Sequence, residues 1–494
     1  MTMSQSSDNT PGGRLKQDLT RRKFLRNTAV TATALSYSRI AARAAGKEPS
    51  DTLNIGLVGC GQQGMAALTA SMVRIPGVRF AAISDVWDYK RLSAKRSIDS
   101  TGSIGTQDFD SIEKMLDTVK ELDCVVIATP DFLHAPHSRA ALQAGKHVYC
   151  EKMMSNSIDA AADMVKAQRE TGKLLQIGHQ RRSNPRYIFM RDKLLRERRI
   201  LGQVTHLYGQ WNRSVKMPLM PRISAKEMEK IHAAGYPNVL EFANWRWFKK
   251  YGGGPISDLG AHQIDIFNWL LGTTPKSLTA CGGLDFYKNL DLPDGTKFSY
   301  EHLDNAILVY EYDTADYGLV RVLYQVLTTT GSQNYYEKIM GTEGTIVISE
   351  QPVYNQVYRE KDTTEKKVGD WEKLVPLGYL RKPPATVYNK FWERPKMWNR
   401  PDPWLQKEGV QDVRVSVPAD PYELPQMPKH LDEKPPHQHH LENFFNTVRS
   451  GGQQTDLNCP VADAYKCARA VLAINDAVRE QKRIEFKPED FVVA

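Results

Sequence analysis

The sequence predicts an α/β protein with an N-terminal doubly wound parallel sheet and a C-terminal α+β domain built on a large, mostly antiparallel open sheet. Two observations lead to this prediction. Strand and helix patterns alternate from residue 51 to about 178, which is typical of a parallel sheet with right-handed crossovers. Beyond about residue 180, several strand-like segments alternate polar and apolar residues, as expected for a sheet with one solvated face.

The elements of the first domain follow from short apolar runs that are separated by amphipathic or glycine-closed segments. Strands are expected at 53–58, 78–83, 125–129, 147–150 and 174–177, and helices at 137–144 and 158–170. Runs of four to seven apolar residues are what buried parallel strands require.

The second domain is expected from about 179 to 494. Its predicted strands lie at 204–210, 278–284, 305–312, 319–328, 335–340 and 344–349. Its predicted helices lie at 258–271, 440–449 and 461–481. The helix at 258–271 is expected to flank the antiparallel sheet.

A glycine motif joins the first strand to the helix-compatible segment that follows it. Gly59 permits a tight turn, Gly61 lets the backbone approach a pyrophosphate, and Gly64 lets the helix pack closely on the strand. The phosphates would lie at the helix N-terminus, where free N–H groups favour anions. The second strand ends at Asp85, whose carboxylate can accept hydrogen bonds from a ribose diol. This combination predicts a Rossmann dinucleotide-binding domain over 51–178.

Composition limits the protein class. A chain of 494 residues exceeds what one hydrophobic core usually serves, so two domains are expected. No apolar run approaches the length of a membrane span. The net charge is +9, but residues 1–45 hold eight Lys/Arg and two Asp/Glu and therefore account for six of the nine charges. No basic stripe with interleaved aromatic residues is evident, so nucleic acid is not an expected partner.

The first 45 residues have the pattern of a twin-arginine export signal. Arg21 and Arg22 precede a mildly apolar stretch that reaches about Ser38, and a small-residue cleavage site follows at 42–44. The mature chain would then begin near Ala45 in the periplasm or another exported location. The alternative is a disordered basic tail on a cytosolic protein.

The six cysteines, at positions 60, 124, 150, 281, 459 and 467, show neither a CxxC pair nor zinc spacing. Buried free thiols are the preferred interpretation. A disulfide between Cys459 and Cys467 remains open in an oxidising compartment.

Two segments suggest catalytic chemistry. Glu151 and Lys152 end a predicted strand, and ligands bind at that end of open α/β sheets. A lysine there could hold a substrate hydroxyl and stabilise alkoxide charge, with Glu151 accepting hydrogen bonds or pairing with it. The alternative is an ordinary surface ion pair.

The second segment, 252–265, places Asp258 and His262 four residues apart and therefore on one helix face. Oxidation of a carbinol requires removal of a hydroxyl proton, and histidine titrates in the required range. Asp258 could orient the imidazole or hold an adjacent hydroxyl, and Asp265 could extend the cluster. A metal site and a capped helix with a buried histidine are the alternatives.

Other histidines are less informative. His134 and His137 follow Pro130, which ends the preceding predicted strand, and are expected near the cofactor as helix-start or pocket residues. The histidines at 437, 439 and 440 precede a helix and are interpreted as exposed loop residues rather than metal ligands.

Taken together, these segments resemble the glucose–fructose oxidoreductase / inositol dehydrogenase / MocA (Gfo/Idh/MocA) family. The matching motifs, in order, are GCGQQG at 59–64, ATPDFLH at 128–134, AGKHVYCEK at 144–152, GGGPISDLGAHQID at 252–265, GTEG at 341–344 and HLENF at 440–444. The likeness extends over most of residues 52–485.

The resemblance implies that Lys152, Asp258 and His262 correspond to the family's catalytic lysine, aspartate and histidine. It places cofactor contacts at Gly59, Gly61, Gln62, Gln63, Gly64, Asp85, Thr129, Pro130, His134, Glu151 and Lys152, with no metal. Two positions depart from the family pattern, because Met153 and Asp131 stand where proline and asparagine are usual. Asp85 favours NAD, since a carboxylate would repel the extra phosphate of NADP, although Lys90 and Arg91 leave NADP open.

The expected function is therefore NAD(P)-dependent hydride transfer at a secondary alcohol or ketone of a sugar, inositol or glycoside, by a homodimer or homotetramer. Because soluble nicotinamide is scarce outside the cytosol, redox-neutral glycoside cleavage or sugar–sugar oxidoreduction with tightly held cofactor is the main alternative. A non-catalytic sugar-binding protein is a lesser one.

Residues 351–436 form a proline-rich segment without clear periodicity that contains Trp371, Trp392, Trp398 and Trp404. Three roles are open: a loop that covers substrate and stacks tryptophan on sugar rings, an arm onto a neighbouring subunit, or a surface extension that the tryptophans anchor.

Overall fold

The computed structural model describes residues 52–215, 218–292, 295, 297–360, 369–383 and 420–494. They form a six-stranded sheet near the N-terminus, a nine-stranded sheet in the remainder, and a separate two-stranded hairpin. The predicted fold class is confirmed. The expected export signal at 1–45 and the tryptophans 392, 398 and 404 lie outside the described residues.

The first sheet is parallel throughout, in the order β3-β2-β1-β4-β5-β6. Its strands are β1 Leu53–Val58, β2 Val78–Ser84, β3 Gln107–Phe109, β4 Cys124–Ile127, β5 His147–Cys150 and β6 Leu175–Ile177. Its helices are α1 (π-helical over Gln63–Thr69 and α-helical over Ala70–Met72), α2 Asp88–Asp99, α3 Ile112–Thr118, α4 Asp131–Gln143 and α5 Ile158–Thr171. The strand order reverses beside β1, which creates the crevice where open α/β sheets bind ligands.

The strands form because their residues are apolar on both faces. All four residues of β4 are buried, as are those of β6, because helices cover both sides of a parallel sheet. Helix α4 begins at Asp131, six residues earlier than predicted. His134 and His137 therefore lie within this helix.

The second sheet has the order β16-β15-β14-β13-β7-β12-β11-β8-β17 and is antiparallel except for the parallel pair β7 and β12. Its strands are β7 Val204–Asn212, β8 Ser277–Gly283, β11 Asn305–Thr314, β12 Gly318–Leu327, β13 Tyr335–Gly341, β14 Gly344–Ile348, β15 Gln356–Arg359, β16 Asp420–Tyr422 and β17 Ile484–Glu485, while β9 Leu290–Asp291 and β10 Lys297–Phe298 form the hairpin. The helices are α6 (Pro185–Phe189, continued as a π-helix over Met190–Glu197), α7 Ala225–Ala233, α8 Val239–Ala243, α9 Gly254–Leu271, α10 Lys429–Asp432, α11 Gln438–Arg449 and α12 Val461–Glu480.

Helix α9 lies between the large sheet and the C-terminal helix α12, and almost all of its residues are buried. Pro255 lies in its first turn, where the missing N–H needs no partner. Gly272 ends it in the left-handed conformation with φ +68°. The helix approaches β7 so closely that a Cβ on Gly209 would lie 2.7 Å from the Phe267 ring. This packing fixes the direction in which the first turns of α9 present their polar side chains.

The C-terminal helices return to the first domain. Leu441, Phe444 and Phe445 of α11 pack in the same buried cluster as Ile55 and Leu57 of β1. The Gln176 amide donates to the carbonyl of His440 at 2.8 Å. The two sheets are therefore connected by packing as well as by the chain.

The described parts of the segment 351–436 contain short regular elements, although its sequence shows no clear periodicity. Strands β15 and β16 extend the edge of the large sheet, but each is too short to show periodicity. Trp371 is 2% exposed and packs against Tyr422 with ring centroids 5.5 Å apart. This tryptophan therefore anchors the segment.

All six cysteines are free thiols, so the Cys459–Cys467 disulfide is not present. Five are buried, as expected, and Cys281 is exposed. Among the described residues, no helix is long and apolar enough to cross a membrane.

Candidate active site

The predicted site residues converge at the carboxyl ends of the three central strands of the first sheet. The glycine loop follows β1, Thr129 and Pro130 follow β4, and Glu151 and Lys152 follow β5. Because parallel strands end at the same edge, these loops line one crevice. Helix α9 of the second domain closes it from the opposite side, since Lys152 contacts Asp258.

The glycine loop has the steric form that a pyrophosphate site requires. Gly59 has φ +94°, and a Cβ there would lie 2.6 Å from the carbonyl of Ala128. A Cβ on Gly64 would lie 2.0 Å from the carbonyl oxygen of Gly59, whereas a Cβ on Gly61 would meet no atom within 4 Å. Gly59 in the turn and Gly64 at the helix contact thus leave no room for a side chain. Gly61 instead leaves open space above the backbone, which fits a bound dinucleotide.

Asp85 is held rigidly at the end of β2. One carboxylate oxygen accepts the N–H of Cys60 at 2.7 Å and the other accepts the N–H of Trp87 at 2.8 Å. Burial raises the pKa of Asp85, against these hydrogen bonds and the charges of Arg91 and Lys90. Each carboxylate oxygen keeps a lone pair that can accept a ribose hydroxyl.

Two cations, Lys90 and Arg91, follow Asp85 in the sequence, and they differ in the groups that they contact. Arg91 contacts Asp88 at 2.7 Å and Asp108 at 3.0 Å, and it donates to the backbone carbonyl of Asp85 at 3.0 Å. Lys90 lies 5.6 Å from the centroid of the Trp87 ring. The Arg91 guanidinium is therefore occupied by protein acceptors.

Lys152 is positioned from the α9 side. Its Nζ donates to the backbone carbonyl of Asp258 at 2.6 Å and to Oδ1 of the same residue at 3.0 Å. The side chains of Lys152 and Asp258 are 10% and 20% exposed. An ammonium has three donors, so one N–H of Lys152 is left for a bound molecule.

This contact changes two expectations. Glu151 was expected to accept hydrogen bonds or to pair with Lys152. It is buried against Gly178 and accepts a hydrogen bond from the Tyr149 hydroxyl at 3.5 Å, while Lys152 pairs with Asp258 instead. Asp258 was expected to orient His262, but within the described chain the hydrogen bond of its carboxylate goes to Lys152. Asp258 therefore orients the lysine.

His134 supports the backbone on the other side of Lys152. Its Nδ1 lies 2.5 Å from the carbonyl oxygen of Met153 and its Nε2 lies 2.7 Å from that of Thr129. Burial opposes protonation, but Cys150, Asp131 and the Met153 carbonyl together raise the pKa of His134 to about 9. A protonated ring donates from both nitrogens, so His134 connects the loops after β4 and β5. The backbone at Met153, where the resemblance leads one to expect proline, is thus tied down by a hydrogen bond.

His262 is the second candidate catalytic residue on α9. It is buried, and its ring lies 5.1 Å from that of Trp211. Burial, followed by the charges of Lys152 and Arg181, lowers the pKa of His262 well below its ordinary value. The imidazole is therefore neutral near pH 7 and can accept a proton.

Two arginines that the sequence analysis did not identify lie beside Asp258. Arg213 Nη1 lies 3.6 Å from Asp258 Oδ2, and Arg246 Nε lies 3.5 Å from Oδ1. Burial alone would raise the pKa of Asp258, but Lys152, Arg246 and Arg213 hold it below its ordinary value. Each arginine lies within two positions of a tryptophan in the sequence, in Trp-Asn-Arg and Trp-Arg-Trp, and this proximity was the available signal.

A second charged network lies deeper along α9 and was also not identified. Arg182 donates two hydrogen bonds to Asp265, at 2.8 and 2.9 Å, and a third to Asp463 at 3.1 Å. Arg181 pairs with buried Glu337 and with Glu350. Asp265 therefore belongs to this network and not to the Asp258 cluster.

His179, Asp265 and Cys459 could in principle form a metal site, because their ligand atoms lie within 4.8 Å of one another. Both nitrogens of the buried His179 ring lack a hydrogen-bond partner. However, the Arg182 guanidinium already pairs with both oxygens of Asp265, and a metal cation beside that guanidinium would be repelled. This donor set does not fit a metal ion.

The expectation of exposed histidines at 437–440 is wrong. Helix α11 begins at Gln438, and His440 is fully buried, with Nδ1 2.6 Å from the Ser183 hydroxyl and Nε2 2.9 Å from the Ile177 carbonyl. His437 lies 3.0 Å from the Gln63 side chain of the glycine loop. These residues join α11 to the first domain.

Family models match both parts of this architecture. A model described as "oxidoreductase family, NAD-binding Rossmann fold" matches residues 53–179, and one described as "oxidoreductase family, C-terminal alpha/beta domain" matches residues 228–400. The chain belongs to the Gfo/Idh/MocA oxidoreductase family. It is an oxidoreductase whose first domain binds NAD, and the fit of the glycine loop agrees with that.

Relatives and solved structures of the Gfo/Idh/MocA family extend the comparison. Inositol 2-dehydrogenase 2 of Saccharopolyspora erythraea is 28% identical over 261 residues, which are 52% of this chain and 65% of the relative. Inositol 2-dehydrogenase/D-chiro-inositol 3-dehydrogenase of Shouchella clausii is 24% identical over 66% of this chain and 81% of the relative. The structure of levoglucosan dehydrogenase in complex with NADH and levoglucosan superposes with a TM-score of 0.60 at 18% identity, covering 88% of this chain and 99% of that one. At that identity the superposition shows the shared fold.

Proposed function

We propose that the protein transfers hydride between NAD and a secondary alcohol or ketone of a sugar, inositol or glycoside. The observation that carries the proposal is the pairing of Lys152 with Asp258 across the two domains, beside a buried neutral His262. The inositol dehydrogenases among the relatives support the class of substrate.

The side chains divide the chemistry as follows. Bound NAD supplies the hydride acceptor. Lys152 directs its third N–H at the substrate oxygen and stabilises the negative charge that develops there. His262 takes the hydroxyl proton, because its pKa leaves it unprotonated near pH 7. Asp258 holds the ammonium in place by accepting from it.

NAD is favoured over NADP. Asp85 presents a carboxylate where the 2′-phosphate of NADP would lie. The adjacent Arg91 is committed to Asp88 and Asp108, so it is not available to bind that phosphate.

A second candidate is redox-neutral turnover, in which hydride taken from a sugar carbon is returned before the product leaves. A specific contact favours it. Segment 218–248 of the second domain covers the chain beside Asp85: Lys230 Nζ lies 2.8 Å from both oxygens of Asp88, and the Phe242 and Trp87 rings are 5.7 Å apart, edge to face. A segment held over the part of the crevice that binds the ribose would slow the exchange of bound NAD.

The test uses the full chain with NAD and a panel of sugars, inositols and glycosides. Reduced-nicotinamide absorbance and the sugar products are followed together, and NAD carried through purification is measured after acid release. Accumulation of NADH with a keto product establishes a dehydrogenase. Conversion of sugar without NADH, by protein that purifies with bound NAD, establishes redox-neutral turnover. A protein that binds sugars without converting them would be a binding protein, and the proposal would be wrong.

We also infer that residues 1–45 direct export by the twin-arginine route, which rests on Arg21, Arg22 and the small-residue site at 42–44. Fractionation of cells that express the full chain tests this: replacing both arginines with lysine should retain the protein in the cytosol. Periplasmic protein in the double variant would contradict the inference.

Assembly as a homodimer or homotetramer is a further proposal. Ile307, Leu319 and Leu323 are 39–46% exposed on the face of the large sheet opposite its buried residues. Light scattering on purified protein measures the state. A monomer would contradict this proposal.

A further inference from the structure

The mouth of the active site holds more positive charge than its own carboxylates require. Lys152, Arg213 and Arg246 all lie within 3.6 Å of the Asp258 carboxylate. The next carboxyl group, Asp131, is buried, and its pKa is raised by burial and by the charge of Asp258. The three cations thus outnumber the two carboxyl groups, Asp258 and Asp131, whether or not Asp131 is ionised.

The two arginines keep their hydrogen-bond donors free. At 3.5 and 3.6 Å, their contacts with Asp258 are ion pairs beyond good hydrogen-bond length. No hydrogen bond from either guanidinium to another group occurs in the part of the chain that the structure describes. Their side chains are 49% and 47% exposed, so the donors face the space in front of Asp258.

Aromatic rings hold both guanidinium groups in place. Arg246 lies 4.2 Å from the centroid of the Trp245 ring, and Arg213 lies 5.2 Å from that of Trp211. Stacking fixes the plane of a guanidinium and leaves its N–H edge available. Trp211 also contacts His262, which places Arg213 at the same pocket as the base.

We infer that Arg213 and Arg246 form a subsite for an anionic group on the substrate, and that this group is the carboxylate of a uronic or other sugar acid. The inference rests on the proposed function and deepens it by naming the substrate class. A planar carboxylate matches the guanidinium fork with two parallel hydrogen bonds. It would also neutralise the charge that Asp258 leaves unbalanced.

The experiment compares matched acidic and neutral sugars: methyl glucuronide with methyl glucoside, and methyl galacturonide with methyl galactoside, each with NAD. The acid of each pair should have at least a ten-fold higher kcat/KM. R213Q and R246Q should each lower this acid-to-neutral ratio about ten-fold, mainly through KM. R479Q removes an arginine that is 64% exposed at the end of α12, and it should leave the ratio unchanged.

Two results would overturn the inference. One is an equal or higher kcat/KM for the neutral sugars, and the other is a ratio that neither arginine variant changes. Glucose 6-phosphate and glucose 6-sulfate form a further arm. A preference for either over glucuronate would overturn the assignment to a carboxylate.

A binding measurement separates this inference from the proposed reaction. Calorimetric titration of NADH-loaded protein with methyl glucuronide should show binding that R246Q weakens at least ten-fold, whether or not any sugar is converted. Binding without turnover would support the subsite while contradicting the proposed function. Turnover of neutral sugars without binding of uronates would support the proposed function and contradict the subsite.

Discussion

Helix α9 carries two aspartates that are seven residues apart, and each is flanked by a pair of arginines. Asp265 is held by Arg182, with Arg181 adjacent, and these arginine side chains are 5% and 1% exposed. Asp258 faces Arg213 and Arg246, which are about half exposed. The same residue types on one helix thus build a closed network at one end and an open one at the other.

The difference lies in hydrogen bonding. Arg182 makes three hydrogen bonds to carboxylates, two of them bidentate to Asp265. Arg213 and Arg246 approach Asp258 at ion-pair distance only. An arginine whose donors are satisfied inside the protein connects its segments, whereas one with free donors at a pocket mouth is available to bind a ligand. Occupancy of the donors therefore distinguishes the two roles better than charge does.

Breaking the closed network should have the largest effect. Arg182→Met leaves Asp265 buried without its partner, and removal of one member of a buried pair costs about 3–5 kcal/mol of unfolding free energy. Urea unfolding followed by tryptophan fluorescence measures this value.

The matched control is Arg213→Met, which changes an exposed ion pair worth about 0–1 kcal/mol. Adding Asp265→Leu to Arg182→Met should restore part of the lost stability, because no unpaired charge then remains buried. Equal losses for Arg182→Met and Arg213→Met would contradict the distinction between the networks.

The next largest effect concerns the lysine that the open network surrounds. Lys152→Met removes the donor that we propose binds the substrate oxygen, and loss of one such donor lowers kcat by about 10²–10³-fold. Steady-state kinetics on the preferred substrate tests this, with NAD binding as evidence that the first domain is intact. Lys114→Met, at an exposed surface pair with Asp110, should leave kcat unchanged. A loss below ten-fold in Lys152→Met would remove Lys152 from the mechanism.

Much of the fold and the core of the site could be predicted from the sequence. Strand and helix patterns are local, so the longer strands of the two sheets were predicted. The start of α4 was placed too late, and the helices α2, α3, α6, α7 and α8 and the short strands β3, β15, β16 and β17 were not predicted. Lys152, Asp258 and His262 lie in local motifs and were named as candidates, and the structure brings Lys152 and Asp258 into contact.

The arginine networks could not be found in this way. Arg182 and Asp265 are 83 positions apart, and nothing in either segment specifies its partner. Lys152 and Asp258 are likewise 106 positions apart, and His440 contacts the Ile177 carbonyl of the first domain across 263 positions. No local pattern specifies either contact. Local sequence patterns indicate which residues can take part in catalysis or binding. Packing between distant segments decides which of their hydrogen-bond donors are already bound within the protein.

Arg91 lies close to Asp85, and its Nε and Nη1 are already paired with Asp108 and Asp88. It should therefore behave like Arg182 and not assist NADP. We expect kcat/KM with NAD to exceed that with NADP by about ten-fold or more, since Asp85 repels the 2′-phosphate. Asp85→Ser should narrow the gap, and adding Asp88→Ser and Asp108→Ser should narrow it further by freeing Arg91. A wild-type protein that uses NADP equally well would show that Arg91 is available despite its contacts.

The smallest expected effect is on the pH profile, where the two networks act differently on His262. Burial, Lys152 and Arg181 of the closed network lower the pKa of His262, so the base stays unprotonated as pH falls through 6.5 and loses activity only below that value. The acid limb of kcat should accordingly lie below pH 6.5. The main causes of this shift are burial, Lys152 and Arg181 rather than Arg213 or Arg246, so R213Q and R246Q should change KM for acidic sugars and leave the position of the limb nearly unchanged. An acid limb of kcat at or above pH 6.5 would mean that His262 is not the base. An acid limb that moves in R246Q would mean that Arg246 acts on the base as well as on the substrate.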